Sequence, residues 1–123
     1  MSRDEAAIEA EIQAKGKTAP RITPEHIDDQ IRAEFYLNAY DATVACGEPA
    51  VDDLKVLTLC VLVLKNGFIL TGESACASPE NYDADIGRKI ARDNARNKIW
   101  QLEGYLLRSQ LHMWSSPKTD LPE

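Results

Sequence analysis

The chain has 123 residues and a mass of 13.7 kDa, which suits one domain built around one core. Hydrophobic residues make up 44% of it and the mean hydropathy is −0.36, an ordinary globular composition that excludes wholesale disorder. A net charge of −6 with a pI near 4.9 argues against general nucleic-acid binding, and no apolar run approaches the roughly 18 residues of a membrane span.

The charge is unevenly distributed. Residues 1–53 hold five Lys/Arg against twelve Asp/Glu, or −7, while residues 54–123 hold nine against eight, or +1. Within the second half, Arg88, Lys89, Arg92, Arg96 and Lys98 face Asp93 alone over residues 86–100, giving +4. An acidic chain with one compact cationic stretch is better suited to holding a small anion than to sliding along a polymer. The charged start, Met1-Ser2-Arg3-Asp4-Glu5, has no hydrophobic signal region and reads as cytosolic. Cys46, Cys60 and Cys76 are an odd number with no C-x-x-C spacing, which speaks against a disulfide framework or a structural zinc site.

In chain order, residues 1–20 are rich in Ala, Glu and Lys without a wide apolar face, and read as a solvated arm. Thr23-Pro24-Glu25 is a helix start: Thr23 as N-cap, Pro24 in the first turn, Glu25 toward the positive end of the dipole. Ile27, Ile31, Phe35 and Ala39 recur at four-residue intervals, which predicts a helix over 24–40. Residues 56–64 are β-branched and apolar on both faces, as in a strand covered on both sides. Asn66-Gly67 then predicts a two-residue type I′ hairpin into a return strand over 68–74.

After a turn-rich connection, a long helix is expected from about Asp83 to Leu102 or beyond, with Gly104 a possible breaker. Ala84, Gly87, Ala91, Ala95, Ile99, Leu102 and Leu106 form one stripe, small at the start and large at the end, suited to lying close on a sheet. Ile86, Ile90 and Trp100 lie away from it, and a helix with two apolar sides in so small a chain points to oligomerisation.

Several residues are candidates for chemistry. Cys76, ahead of a helix, is either a nucleophile with a depressed pKa or an unreactive small hydrophobe. Ser78 and Asn81 either help a helix start hold phosphate oxygens or merely cap it, and Tyr82 either stacks on a base or staples the turn. Arg88, Arg92 and Arg96 form an i, i+4 ladder that either meets an anion or pairs with Asp85, Asp93 and the acidic first half, including Glu25, Asp28 and Asp29. The sequence carries no phosphate-loop, dinucleotide, zinc-protease or EF-hand motif, and nothing in it reads as an enzyme or calls for a cofactor.

Three stretches carry a family resemblance. Residues 57–68, residues 71–83 with the string Cys-Ala-Ser-Pro-Glu-Asn-Tyr-Asp, and residues 86–91 with 97–108, including Asn-Lys-Ile-Trp-Gln-Leu-Glu-Gly-Tyr, resemble a small tailed-phage (gp49-like) family. The resemblance spans about Ile22 to Leu111. It extends to the first type of anti-Thoeris sponge, a group that sequesters the glycocyclic ADP-ribose signal of bacterial TIR-domain proteins without degrading it. Some of those proteins also capture CBASS cyclic oligonucleotides at a separate site, and they assemble as hexamers.

The resemblance implies a non-enzymatic binder in the host cytoplasm whose partners are such signals and further copies of itself, with neither polymeric nucleic acid nor membrane. In that frame Arg92 or Arg96, with Arg88 in the same ladder, would neutralise a pyrophosphate. Asn81 or Asn97 would hydrogen-bond ribose or base edges, Ser78 would assist, Tyr82 would stack, and Arg108 would mark a second anion site. The expected fold is α+β: an N-terminal helix, an antiparallel sheet centred on the Asn66-Gly67 hairpin, and a long C-terminal helix, in a homo-oligomer. The expected divisions are a flexible acidic arm over 1–20, a single ligand-binding domain over 21–112, and a tail over 113–123.

Overall fold

A computed structural model describes residues 4–17 and 19–115. Helix α1 (Glu5–Ala14) is followed by α2 (Pro24–Asp29), β1 (Ile31–Asn38), α3 (Ala39–Ala45), a 3-10 turn at Asp52–Val56, β2 (Leu57–Leu64), β3 (Ile69–Ala75), a second 3-10 turn at Pro79–Asn81, and α4 (Ala84–Ser115). The three strands form one antiparallel sheet in the order β1-β2-β3, and α4 lies across one face of it. The fold is therefore mixed α+β with a long C-terminal helix.

The predicted helix over 24–40 is corrected. It begins as expected, with the Thr23 hydroxyl accepting the His26 N–H at 3.1 Å and Pro24 in the first turn, but α2 ends at Asp29. Residues 31–38 form β1 and α3 follows. A spacing of four fits a helical period of 3.6 and is also twice the strand period, so it does not by itself tell the two apart. In β1 an irregularity between Ile31 and Ala33 leaves Ile31 opposite Leu64 on the core side and Phe35 opposite Val61 on the other. Ala33 and Leu37, alternating with Arg32, Glu34 and Tyr36, supply the period of two that a helix would not need. Asn38 closes the strand by capping α3, its side-chain oxygen accepting from the Tyr40 and Asp41 N–H groups.

The connection from β2 to β3 also departs from the two-residue turn. The Gly67 N–H donates to Leu64 O and the Leu64 N–H to Phe68 O, both at 2.9 Å, so Lys65 and Asn66 are the central residues of the turn. Gly67 alone has positive φ, at 87°, while a type I′ turn would require it of Asn66 too. Asn66 instead accepts the Phe68 N–H at 3.0 Å through its side chain. The resulting register pairs Val63 with Ile69 and Cys60 with Gly72. A register one residue away would turn Gly72 to the opposite face. That would be incompatible with α4, because a Cβ on Gly72 would lie 2.3 Å from both Ala91 O and Ala95 N.

The core sits between this face and α4. Ile27, Cys60, Leu62 and Ile99 are fully enclosed, with Leu64, Ala91 and Ala95 beside them. Burying Ile27, Leu62 and Ile99 contributes about 1.5–3 kcal/mol each by transfer from water. The small end of the predicted stripe, Gly87, Ala91 and Ala95, is buried as expected, and so is Ile99. Its large end is corrected: Leu102 and Leu106 are exposed, and Gly104 lies within an unbroken helix. At about 1.5 Å per residue α4 is about 48 Å long, while an eight-residue strand spans about 27 Å, so the helix runs past the sheet.

The expected solvated arm contains α1, which buries no residue yet docks through its carboxylates. Glu5 accepts from Arg96 Nη1 at 2.5 Å and Trp100 Nε1 at 3.0 Å, and Glu9 takes two bonds from Arg21. Of the expected tail over 113–123, residues up to Ser115 belong to α4 and the rest lie outside the described residues. Among the described residues no helix is long and apolar enough to cross a membrane.

Candidate functional site

A cleft of about 270 Å³ opens where the end of β1 and the start of α3 face the first turns of α4. Its lining includes Tyr36, Asn38, Thr58, Tyr82 and Arg88. Tyr36 and Arg88 also line an adjoining groove of about 350 Å³ with Asp85, Lys89 and Arg92. The sequence builds this place in three steps. Tyr36 and Asn38 occupy the same strand face as buried Thr58 and Cys60, opposite which they pair. The Pro79–Asn81 turn delivers Tyr82 beneath α4, and Gly87 leaves room for it: a Cβ there would sit 2.8 Å from Thr58 Oγ1 and 3.8 Å from the Tyr82 ring. Asp83 then caps α4, accepting the Ile86 N–H at 3.0 Å and so setting the direction in which Arg88 and Arg92 emerge.

Hydrogen bonds hold the two tyrosines. The Tyr82 hydroxyl lies 3.4 Å from Asn38 Nδ2 and 3.5 Å from Thr58 Oγ1. The Tyr36 hydroxyl donates to Glu34 at 2.7 Å, and Arg92 Nε meets the same carboxylate at 3.1 and 3.3 Å. The Tyr36 bond, with that of Arg92, holds Glu34 below the usual carboxylate range against the opposing effect of burial. Burial, and then the Glu34 carboxylate, push the Tyr36 hydroxyl up to about 12, so it remains a hydrogen-bond donor at neutral pH. Burial likewise raises the Cys60 thiol, which lies in the core and away from any reactive role.

The arginine ladder divides. Arg96 is buried and committed: Nε donates to Asp28 at 2.7 Å, Nη1 to Glu5 and Nη2 to the Pro24 carbonyl at 3.2 Å. Arg92 is committed to Glu34. Among the described residues Arg88 pairs with Asp85, at 3.8 Å, and both side chains are exposed, an arrangement worth about 0–1 kcal/mol that an incoming phosphate can displace. Thus the intramolecular pairing weighed for the ladder describes all three arginines, with Arg88–Asp85 the longest and most exposed pair, and Arg88 and Lys89 are the exposed cations beside the cleft.

The other predicted residues lie elsewhere. Ser78 donates its hydroxyl to Glu80 at 3.1 Å and Asn81 is exposed at the end of the 3-10 turn. Neither caps α4, whose first N–H groups face the Asp83 carboxylate, an anion already in place. Asn97 is partly buried further along α4, outside the cleft lining. Arg108 is exposed about 30 Å along the helix axis from Arg88 and shares no site with it. Cys76 donates its thiol hydrogen to the Ser78 carbonyl at 3.1 Å. Among the described residues no group of three or more His, Cys, Asp or Glu is placed to hold a metal ion.

The site thus unites Tyr82, Arg88 and Arg92, and it adds Tyr36, Asn38, Thr58 and Lys89, which sequence reasoning had not singled out. The signal for Tyr36 and Asn38 is the period-two alternation of β1. A larger opening of about 780 Å³ beside α1 and α2 is lined by Glu5, Glu9 and Glu25, the wrong sign for a phosphate ligand.

A one-sheet α+β protein with a small cleft of aromatic and charged side chains, Arg88 and Asp41 among them, is the class that fold and site define. Residues 22–111 match the phage protein family described as N4 Gp49/phage Sf6 gene 66, and the chain belongs to that family. No curated protein and no solved structure matches it.

Proposed function

We propose that this phage protein binds and sequesters a cyclic nucleotide-type immune signal, glycocyclic ADP-ribose first among them, and holds it without cleaving it. The observation that carries the reading is the convergence of Tyr36, Tyr82 and Arg88 on one cleft at the end of β1. A cyclic ADP-ribose presents a base face for an aromatic ring, hydroxyls for Asn38 and Thr58, and a pyrophosphate for Arg88 and Lys89. Membership of the phage family supports the setting, the host cytoplasm. In this reading the protein works as a homo-oligomer, a hexamer by analogy with the sponges, and the exposed Arg108 marks a second anion site for cyclic oligonucleotides.

The test is direct. The protein is incubated with the TIR-derived signal, freed of unbound ligand, heat-denatured, and the released molecule identified. Recovery of intact signal is the expected result. A changed molecule would make the protein a signal-degrading enzyme, and no retained molecule would refute capture. Arg88→Ala removes a charge-assisted contact of about 1.5–3 kcal/mol and weakens capture by roughly tenfold to a hundredfold. Unchanged capture by Arg88→Ala would move the site elsewhere.

A second reading, an interaction or assembly protein acting through a protein partner, is favoured by the exposed Ile86 and Ile90 on α4. It predicts that the same incubation retains nothing.

A further inference from the structure

β2 has the sequence of a strand enclosed on both faces, yet the described part of the chain covers only one. Thr58, Cys60, Leu62 and Leu64 face α4 and are buried, while the alternate residues on the other side are partly exposed. An antiparallel sheet with one face in water normally shows apolar and polar residues in alternation, and β2 does not. The neighbouring strands continue the pattern. Phe35 pairs with Val61, Leu37 with Leu59, and Ile69 with Val63, and Phe35, Leu37 and Ile69 are among the exposed large hydrophobics. These six side chains form one patch without a charge, bordered on β3 by Thr71 and Glu73.

We infer that this outer sheet face is closed by the same face of a second copy, two sheets packing about 10 Å apart across a two-fold axis. Composition argues for a second copy over a foreign partner. Interfaces between unlike, transiently associating proteins are about as polar as ordinary surface, whereas homodimer interfaces are markedly more apolar. Area agrees when the whole face takes part, Thr71 and Glu73 at its β3 rim included: three strands about 4.8 Å apart and eight residues long present roughly 400 Å² in projection. With the relief of their side chains, two such faces reach the roughly 1,000 Å² in total that a specific interface needs.

Two copies at −6 each repel at long range, so an apolar contact between them should strengthen as added salt screens that repulsion. The inference gives a surface to the self-association in the proposed function, and it moves that surface from the Ile86 and Ile90 side of α4 to the sheet.

Sedimentation velocity on the full chain tests it. Val61 lies at the middle of the central strand, on the face away from α4, so a charge there leaves the core intact. The wild-type protein should sediment as a dimer or a multiple of one, increasingly so at higher salt. Val61→Lys and Val61→Glu should each fall to half that mass or less, and an equimolar mixture of the two should recover it. A monomeric wild type overturns the interface, and so does a wild-type mass retained by both variants, which would locate assembly on α4 or at a strand edge. If circular dichroism shows Val61→Lys to be unfolded, Phe35→Lys on the neighbouring strand decides by the same criterion. Signal capture is measured separately, so a monomer that retains the signal overturns this interface and leaves the cleft standing.

Discussion

Helix α4 meets the rest of the molecule backbone to backbone, through Gly87, Ala91 and Ala95 on its own side and Gly72 on the sheet, so close that a methyl group at Gly72 has no room. Helix α1 meets it through the ends of side chains. It buries no residue, leaves Ile8 42% exposed, and is fastened by Glu5 to Arg96 and Trp100 and by Glu9 to Arg21. At Gly72 the first attachment is dry and short-ranged, although α4 also carries ion pairs to Glu34 and Asp28. The second depends on charge, and its two carboxylates sit one helical turn apart, largely enclosed but still in contact with water. Two helices of one small protein therefore answer differently to perturbation, and each prediction below bears on one attachment more than on the other.

The largest effect is expected at Gly72. In Gly72→Ala the new Cβ would lie 2.3 Å from two α4 backbone atoms that cannot swing aside as a side chain would, so the helix must lift from β3. A loss of about 3 kcal/mol or more is expected, at the upper end of what overpacking costs, and urea unfolding would measure it. A midpoint within error of the wild type would mean that α4 is not held at this distance.

Arg96→Met comes next. It keeps most of the volume of the long side chain and removes the donors to Glu5, Asp28 and the Pro24 carbonyl. Burial disfavours the Arg96 charge, but Glu5 and Asp28 outweigh it and the guanidinium pKa is raised. Because Glu5 and Asp28 keep some contact with water, the cost should be about 1–3 kcal/mol, with protection of α1 amides lost before those of β2. Equal loss in α1 and β2 would tie α1 into the cooperative core and abolish the contrast.

What could be seen in the sequence follows the same division. The close contact of α4 was legible because its cause is local: Gly87, Ala91 and Ala95 are spaced by the helical period, and small residues on one stripe have few other uses. The docking of α1 was not legible, because Glu5 and Arg96 lie 91 positions apart and nothing in either neighbourhood names the other. The strand at 31–38 was hidden by arithmetic, since a spacing of four serves both periods, and Ala33 and Leu37 were the residues to weigh against it. The turn after β2 was read one residue out of place. What fixes its register is Gly72, which must lie beneath α4, a tertiary demand that Asn66-Gly67 cannot express. In the cleft, Tyr82 and Arg88 were visible because they sit on either side of a helix start. Asn97 carried the right chemistry on the same helix but lies outside the cleft lining, and Arg108, expected at a second site, stands exposed further along it.

The smallest effect is a local one, the release of α1 by acid. Hydrogen bonds from Arg21, and then from Gln13, hold the Glu9 carboxyl down to about 2 from its ordinary value of 4.5. A carboxyl whose value is lower when docked favours docking only while ionised. Its contribution is therefore complete above about pH 4.5 and fades as the pH falls toward about 2. Trp100 reports the event, because its indole N–H donates to Glu5 on the departing helix. In a Trp114→Phe chain, whose remaining tryptophan is Trp100, fluorescence should change over that window while the β-sheet circular dichroism persists. High salt should move the change to higher pH, because both pairs lie close enough to water to be screened. Coincident loss of both signals would mean that acid releases α4 together with α1, and the difference between the two helices would not stand.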